Sequence, residues 1–348
     1  MLTLSLSPPD YLVIYEGGAV MASRNTGNLN RDGAKNNFES LGTIVPGVNG
    51  VTGDMIRFAD LDGDGRADFL AVAADGSVRA WRNLGIVGDK AASLRFADLD
   101  GDNRADIVSV DPATGAARAW LNLGGGAWRD IGEIAPGPSD DASTSRFEFA
   151  DINGDGLADY IRIYQGGAVK AYLNNGNIPD QGKGLNWQDA ITISPGIEGV
   201  PGSKVHFADL NGDGKADFLV IWDGGAVTAY LNTGRLPSGI WQSGYSVAPG
   251  VGEAGSKVRF ADITGDGRAE YLISYDGGSV KSYKNNGNIP DVGKGPNWLA
   301  MGVIAGGVSP QGVVRLADLN GDGKADYLTL FEDGHVNAYI NTCSWNAS

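Results

Sequence analysis

The sequence predicts an all-β protein. No long stretch places apolar residues at i, i+3, i+4 and i+7, as an amphipathic helix would, and glycine supplies 54 of 348 residues against 14 prolines, so turns are frequent. Short apolar runs alternate instead with acidic, glycine-rich strings, of which RFADLDGDGRADFL (57–70) is the first. With 42% hydrophobic residues, a chain of this length can bury a substantial core.

The acidic string begins at Asp60 and returns at Asp98, Asp151, Asp209, Asp262 and Asp318, at spacings of 38, 53, 58, 53 and 56 residues. Each copy runs into an apolar segment such as ADYIRIY or ADFLVIW, then a glycine, then a second segment such as GAVKAYLN, and both segments read as strands. A further apolar stretch such as WQDAITISPG precedes the next KVRFAD, which makes four strands per unit. At the N-terminus, PDYLVIYEGGAVMASRNTGN matches the second and third strands, with Asp10 in the place of Asp68. An incomplete first repeat therefore occupies 1–50, and six repeats start near 56, 94, 147, 205, 258 and 314.

Repeats of about 40 to 60 residues with four short strands predict a β-propeller, whose small sheets pack face to face as blades. The expectation is one seven-bladed domain spanning 1–348. The repeat from Asp60 to Asp98 is short, with GIVGDKAASL a poor fourth strand, and the last copy ends without one. LTLSL (2–6) can complete either the first blade or the last, and the sequence leaves both open.

Each acidic loop reads Asp, x, Asp/Asn, Gly, Asp, Gly, x, Ala, Asp, with oxygen donors at positions 1, 3, 5 and 9 and a backbone carbonyl available at 7. That set suits a hard cation taking six to eight oxygens, namely Ca²⁺. The donors are Asp60, Asp62, Asp64, Arg66 and Asp68 in the first loop and Asp98, Asp100, Asp102, Arg104 and Asp106 in the second. The third has Asp151, Asn153, Asp155, Leu157 and Asp159; the fourth has Asp209, Asn211, Asp213, Lys215 and Asp217. The fifth departs, with Asp262, Thr264, Asp266, Arg268 and Glu270, and is expected to be weak or empty; the sixth has Asp318, Asn320, Asp322, Lys324 and Asp326. Position 7 enters only through its carbonyl.

Glycine at position 6 permits the sharp turn, and the one exception, Asn103, is a residue type that tolerates positive φ. An EF-hand would need a Glu at position 12 and flanking helices; here position 12 is Ala71, Ser109, Arg162, Val220, Ile273 or Thr329. Up to six Ca²⁺ are expected, held structurally.

These residues resemble the FG-GAP or VCBS repeat family, which includes the integrin α-chain propeller, fungal propeller lectins and propeller modules of secreted microbial hydrolases. FADLNGDGKADYL and GGAVKAYLNNGN carry the resemblance, which covers residues 10 to 341. It implies a seven-bladed propeller with calcium between the first and second strands of a blade, and it carries no catalytic residue.

The formal charge of −15 argues against nucleic acid or an anionic membrane as a partner, and no apolar run is long enough to span a bilayer. Cys343 is the only cysteine, so no internal disulfide can form. MLTLSLSPPDYLVIY has no basic start and no clear cleavage site, so an extracellular protein is expected with its signal removed or as a fragment.

Aromatics recur in the third strand (Trp81, Trp120, Tyr172, Tyr230, Tyr283, Tyr339) and before the fourth (Trp128, Trp187, Trp241, Trp298), where they can pack between blades or stack on sugars. The inserts NNGNIPDQGKGLNW (174–187) and NNGNIPDVGKGPNW (285–298) combine polar and aromatic groups, and Asp180, Asp291, Trp187 and Trp298 are candidate ligand-binding residues. An enzyme should break the repeat symmetry. His206 does so, standing where other copies have Arg57, Arg95, Glu148, Arg259 or Arg315, and so does His335, yet neither has an evident nucleophile partner. Asp140 and Asp141 read as a solvated loop. The leading expectation is a calcium-stabilised, secreted carbohydrate- or glycoprotein-binding module with no catalytic residues. An accessory domain of a hydrolase or esterase, an integrin-like adhesion module, and a polysaccharide hydrolase or lyase are the alternatives.

Overall fold

The computed structural model describes residues 11–25, 38–45, 47–48, 50–59, 61, 67–81, 93–178, 184–289, 296–307, 312–331 and 336–343. The fold is all-β, and helix among these residues is confined to short 3-10 turns such as Gly202–Lys204. The chain divides into two compact units, 1–92 with 331–336, and 93–330 with 337–348.

The first unit holds two three-stranded antiparallel sheets: β1 (Tyr11–Ile14), β2 (Val20–Asn25) and β3 (Phe38–Val45), then β4 (Ile56–Ala59), β5 (Asp68–Val72) and β6 (Val78–Trp81). Val20, Val51, Ile56, Phe69 and Ala71 form its buried cluster.

The second unit holds five sheets. These are β7 (Leu94–Ala97), β8 (Asp106–Val110), β9 (Ala117–Gly124) and β10 (Ala127–Ala135); β11 (Arg146–Ala150), β12 (Asp159–Ile163), β13 (Val169–Tyr172) and β14 (Ile191–Ser194); and β15 (Val205–Ala208), β16 (Asp217–Ile221), β17 (Val227–Tyr230) and β18 (Tyr245–Ala248). They continue with β19 (Val258–Ala261), β20 (Glu270–Ser274), β21 (Ser279–Asn285) and β22 (Trp298–Gly306), and end with β23 (Val313–Ala317), β24 (Asp326–Leu330) and β25 (Val336–Tyr339). Each sheet is a meander in sequence order, the topology that short turns between antiparallel strands dictate.

Successive sheets share apolar clusters. Val108, Ala119 and Leu121 of one sheet meet Phe147 and Tyr160 of the next; Ile161 and Ala171 meet Val205 and Phe218; Leu219 and Ala229 meet Val258 and Tyr271. This face-to-face burial explains why both faces of the second strand are largely apolar: β12 and β16 are buried at every residue, with Arg162 the cationic exception in β12.

The repeats predict seven blades in one ring. Among the described residues there are seven sheets, but the hydrogen-bond cycle that closes has five members, all in the second unit. In each, the amide of the alanine at loop position 8 donates to the position-1 carbonyl of the preceding loop: Ala158 to Asp98 (2.8 Å), Ala216 to Asp151 (2.7 Å), Ala269 to Asp209 (2.8 Å), Ala325 to Asp262 (2.6 Å), and Ala105 back to Asp318 (2.6 Å).

Candidate metal centres and sheet-junction clefts

In the second unit the acidic loops join the first and second strands of each sheet, where the sequence places them. Their first aspartate closes the turn. Asp98 accepts from the amides of Gly101 (2.7 Å) and Asn103 (2.8 Å), one on each carboxylate oxygen, and Asp151, Asp209, Asp262 and Asp318 repeat the pair with the glycines at positions 4 and 6. Asn103 has φ +66° and is the one non-glycine residue at positive φ among those described, as its place in the loop predicts.

Position 9 is fully buried. Asp106 accepts from Leu99 N (2.9 Å) and Asn122 N (2.8 Å), and Asp159 and Asp217 make the equivalent bonds. Burial, opposed by these amides and reinforced by the other loop carboxylates, pushes Asp106, Asp159 and Asp217 up to about 7, and Glu270 likewise to about 7. Asp326 is raised for the same reason. A carboxylate so placed is costly to ionise without a cation beside it.

The residues fit a metal ion in two loops most plainly. Ligand atoms of Asp98, Asp100 and Asp106 lie within 4.8 Å of one another, as do those of Asp262, Asp266 and Glu270. Asp100, a member of the first of these clusters, has a buried Oδ1 with no hydrogen-bond partner, an acceptor that a cation would satisfy. The loop expected to be weak thus brings three carboxylates together.

The position-5 carboxylates are partnered from within their loops. Arg104 pairs with Asp102, Arg268 with Asp266 (2.8 Å) and Lys215 with Asp213 (3.0 Å), while Asn153 Nδ2 donates to Asp155 (2.7 Å). Turning the Asn153 amide over would present its oxygen instead. Of the first loop, Asp60, Asp62, Asp64 and Arg66 lie outside the described residues. Asp68 keeps the family of contacts, accepting from Leu61 N at 2.9 Å.

A third set of residues, which the sequence reading passed over, ties the loops together. Asn122, Asn174, Asn232, Asn285 and Asn341 lie within two residues of the ends of the third strands, and each amide Nδ2 donates to the position-8 carbonyl of its own loop and to the position-2 carbonyl of the preceding one: Leu319 (2.9 Å), Leu99 (3.0 Å), Ile152 (2.8 Å), Leu210 (2.9 Å) and Ile263 (2.9 Å). The signal was the asparagine that closes AWLN, AYLN, SYKN and AYIN in the five copies of the second unit.

The repeated aromatics line the junctions between sheets. Tyr160 lies 5.4 Å from Tyr172 and 5.6 Å from Trp187 between ring centroids; Phe218 lies 5.7 Å from Tyr230 and 5.5 Å from Trp241; Tyr271 lies 5.8 Å from Tyr283 and 5.7 Å from Trp298. The indole N–H of each tryptophan donates to the preceding sheet, Trp187 to Ile134 O (2.8 Å), Trp241 to Ile193 O (2.7 Å) and Trp298 to Val247 O (2.8 Å), so these rings bridge sheets. Tyr271, Tyr283, Asn297 and Trp298 line a cleft of about 550 Å³ with Pro249 and Gly250. The candidates Asp180 and Asp291, and also His335, lie outside the described residues. Asp140 and the Asp141 carbonyl bind the buried Arg162 side chain (2.5 and 2.7 Å), so this loop does more than meet solvent.

Repeated antiparallel sheets packed face to face and tied to one another through acidic loops define the class of β-propeller repeat proteins. Four overlapping matches to the FG-GAP-like repeat, at 98–162, 151–220, 209–273 and 262–329, cover more than half of the chain. The chain belongs to the FG-GAP-like repeat family. Comparison with curated protein sequences found no match.

Among solved structures, it is similar to a lectin of Agrocybe aegerita described as recognising non-reducing terminal N-acetylglucosamine, at 19% identity over 96% of this chain and 90% of that one, with a TM-score of 0.45. It is also similar to the Photorhabdus luminescens Tc holotoxin pore (14% identity, 92% of this chain, 18% of that one, TM-score 0.40) and to a putative 6-phosphogluconolactonase of Bacteroides fragilis (14% identity, 96% and 95%, TM-score 0.35).

Proposed function

We propose that this protein is a calcium-stabilised carbohydrate-binding module. The observation that carries the reading is the aromatic trio repeated at three sheet junctions, opened in one of them into the cleft lined by Tyr271, Tyr283 and Trp298. Aromatic faces beside the Asn297 side chain and the backbone of Pro249 and Gly250 offer what a sugar ring needs, an apolar surface for its C–H face and polar groups at its rim. Repetition of the trio supports several equivalent sites, which gain avidity together.

Calcium is the metal that the loop chemistry favours, since it accepts the all-oxygen, partly backbone donor set. It would neutralise the clustered carboxylates and brace the loop-to-loop bonds, without taking part in chemistry. Extracellular action accords with this, because calcium is abundant there.

A glycan array probed in calcium and again in chelator tests the reading. Binding of one glycan class in calcium, weakened by Tyr283→Ala, is expected; no glycan signal in calcium would sink it.

A further inference from the structure

The inner strands of the second unit place one residue each at the same register position. Arg95 faces Val108 across its sheet, Glu148 faces Ile161, His206 faces Leu219, Arg259 faces Leu272 and Arg315 faces Leu328. Because the five loops form a closed cycle, equal register means equal height around a common axis. All five residues line one cavity of about 620 Å³, with Arg146 and Lys204 also on its wall.

The charge there opposes that of the molecule. A chain of formal charge −15 directs five cationic side chains into this cavity, against the carboxylates of Glu148 and Asp223. Asp223 holds Lys204 at 3.1 Å, and Glu148 is taken by Arg146 at 2.5 Å. Arg259 donates to the backbone carbonyls of Ser256 and Val258 (2.7 Å each), Arg315 to Val314 O (3.1 Å), and Arg95 to Phe147 O and Leu94 O (3.0 Å each). Backbone carbonyls orient the guanidiniums of Arg259 and Arg315 without neutralising them. Arg146 Nε is buried and has no partner.

Like charges lining one cavity are unfavourable unless a counter-charge enters. Burial, with Arg95 and Arg259 nearby, pushes Arg315 down to about 10, and burial lowers Arg95 and Arg259 too. His206 adds no positive charge near neutral pH, since burial pushes it down to about 4, and as a neutral ring it can still donate a hydrogen bond.

We infer that this cavity binds a small polyvalent oxyanion, held by Arg95, Arg259 and Arg315. A guanidinium presents paired N–H donors that match sulfate, phosphate and carboxylate oxygens, and three converging from different strands select for more than one negative charge. The cavity is separate from the sheet-junction clefts, so this inference stands or falls independently of sugar binding.

Titration calorimetry on the full chain, with calcium present and ionic strength constant, provides the test. The probes are inorganic sulfate and a trisulfated disaccharide, with the unsulfated disaccharide as control. One saturable site per chain is expected for a sulfated probe and not for the control. Tighter binding of inorganic sulfate identifies a free ion as the ligand form, and tighter binding of the sulfated sugar identifies a sugar-borne group. Arg315→Met should weaken binding by about tenfold or more, and Arg315→Lys by less. Glu148→Gln should tighten it. Absence of saturable binding by either sulfated probe, or unchanged affinity in both Arg315→Met and Arg259→Met, would overturn the inference. Should those variants not fold, the wild type decides: millimolar sulfate must raise its melting temperature saturably beyond chloride at equal ionic strength, and no such excess also overturns it.

Discussion

The amide of Ala105 donates to the carbonyl of Asp318 at 2.6 Å, joining the first acidic loop of the second unit to its last. These residues lie far apart in sequence, and the same bond recurs between neighbours around the cycle. Each link is doubled by an asparagine, as where Asn122 Nδ2 reaches Leu319 O. The loops therefore fasten sheets to one another as well as connecting strands within them.

Asn232→Ala should lower the melting temperature by several degrees. The side chain is 2% exposed, and its loss leaves the carbonyls of Ile152 and Ala216 without this donor, at about 1–3 kcal/mol for a buried unsatisfied group. Asn175→Ala, which removes an exposed bond to Leu185 O, is the control and should change little. Equal melts for the two variants would show that the asparagine cycle does not fasten the sheets.

Metal removal should loosen the same region. Chelator is expected to lower the melting temperature and calcium to restore it, with magnesium less effective because it prefers an octahedral shell with retained water. Glu270→Gln should reduce the number of calcium ions bound, measured by metal analysis after dialysis, since Asp262, Asp266 and Glu270 converge. An unchanged count would leave that loop empty, as its Thr264 and Glu270 first suggest.

The strand content was legible because each strand announces itself locally: apolar runs bounded by glycine admit little else, and the acidic loops fix where the first and second strands meet. Asn103 was readable for the same reason, since a turn position demands φ above zero whatever surrounds it. The membership of the hydrogen-bond cycle was not. Whether Ala105 finds Asp318 depends on the angle between packed sheets, a property of side-chain volumes summed over a whole interface and not of any motif. The cationic cavity was half legible: the symmetry break at His206 was visible, but that Arg95, Arg259 and Arg315 converge required the ring to be closed first. Trp187 and Trp298 looked equally suited to ligand and core, and only their bonds to Ile134 O and Val247 O tie them to the neighbouring sheet.

Acid should act through His206. Burial, with Arg146 and Arg259 nearby, moves this imidazole from about 6.5 in the unfolded chain to about 4, although Glu148 at 4.0 Å pulls the other way. A base with a depressed folded pKa gives stability that is complete above about 6.5 and lost as pH falls from there towards about 4. His206→Gln removes that contribution. The melting temperature of the wild type relative to this variant should therefore fall between pH 7 and pH 4, while carboxylates common to both cancel. A constant difference across the series would show that His206 titrates normally.

Glycines should divide by what surrounds them. Gly167 has φ +85°, and a Cβ there would meet the Val200 carbonyl oxygen at 2.2 Å, a clash with backbone that no rotamer relieves. Gly214, in a metal loop, has φ +79° with nothing within 4 Å of a new Cβ. Gly214→Ala should then cost only the left-handed backbone, about 1–2 kcal/mol, while Gly167→Ala adds displacement of the neighbouring strand connection and should cost distinctly more. Because Gly214 N also donates to Asp209 Oδ2 at 2.8 Å, a loop that relaxes to avoid the strain gives up part of its metal geometry. Calcium, bound less tightly by the relaxed loop, should therefore widen the stability gap between Gly214→Ala and wild type, and leave the Gly167→Ala gap unchanged. Denaturant midpoints with and without calcium decide it: a gap that stays equally wide for Gly214→Ala would mean that the metal does not act on this loop.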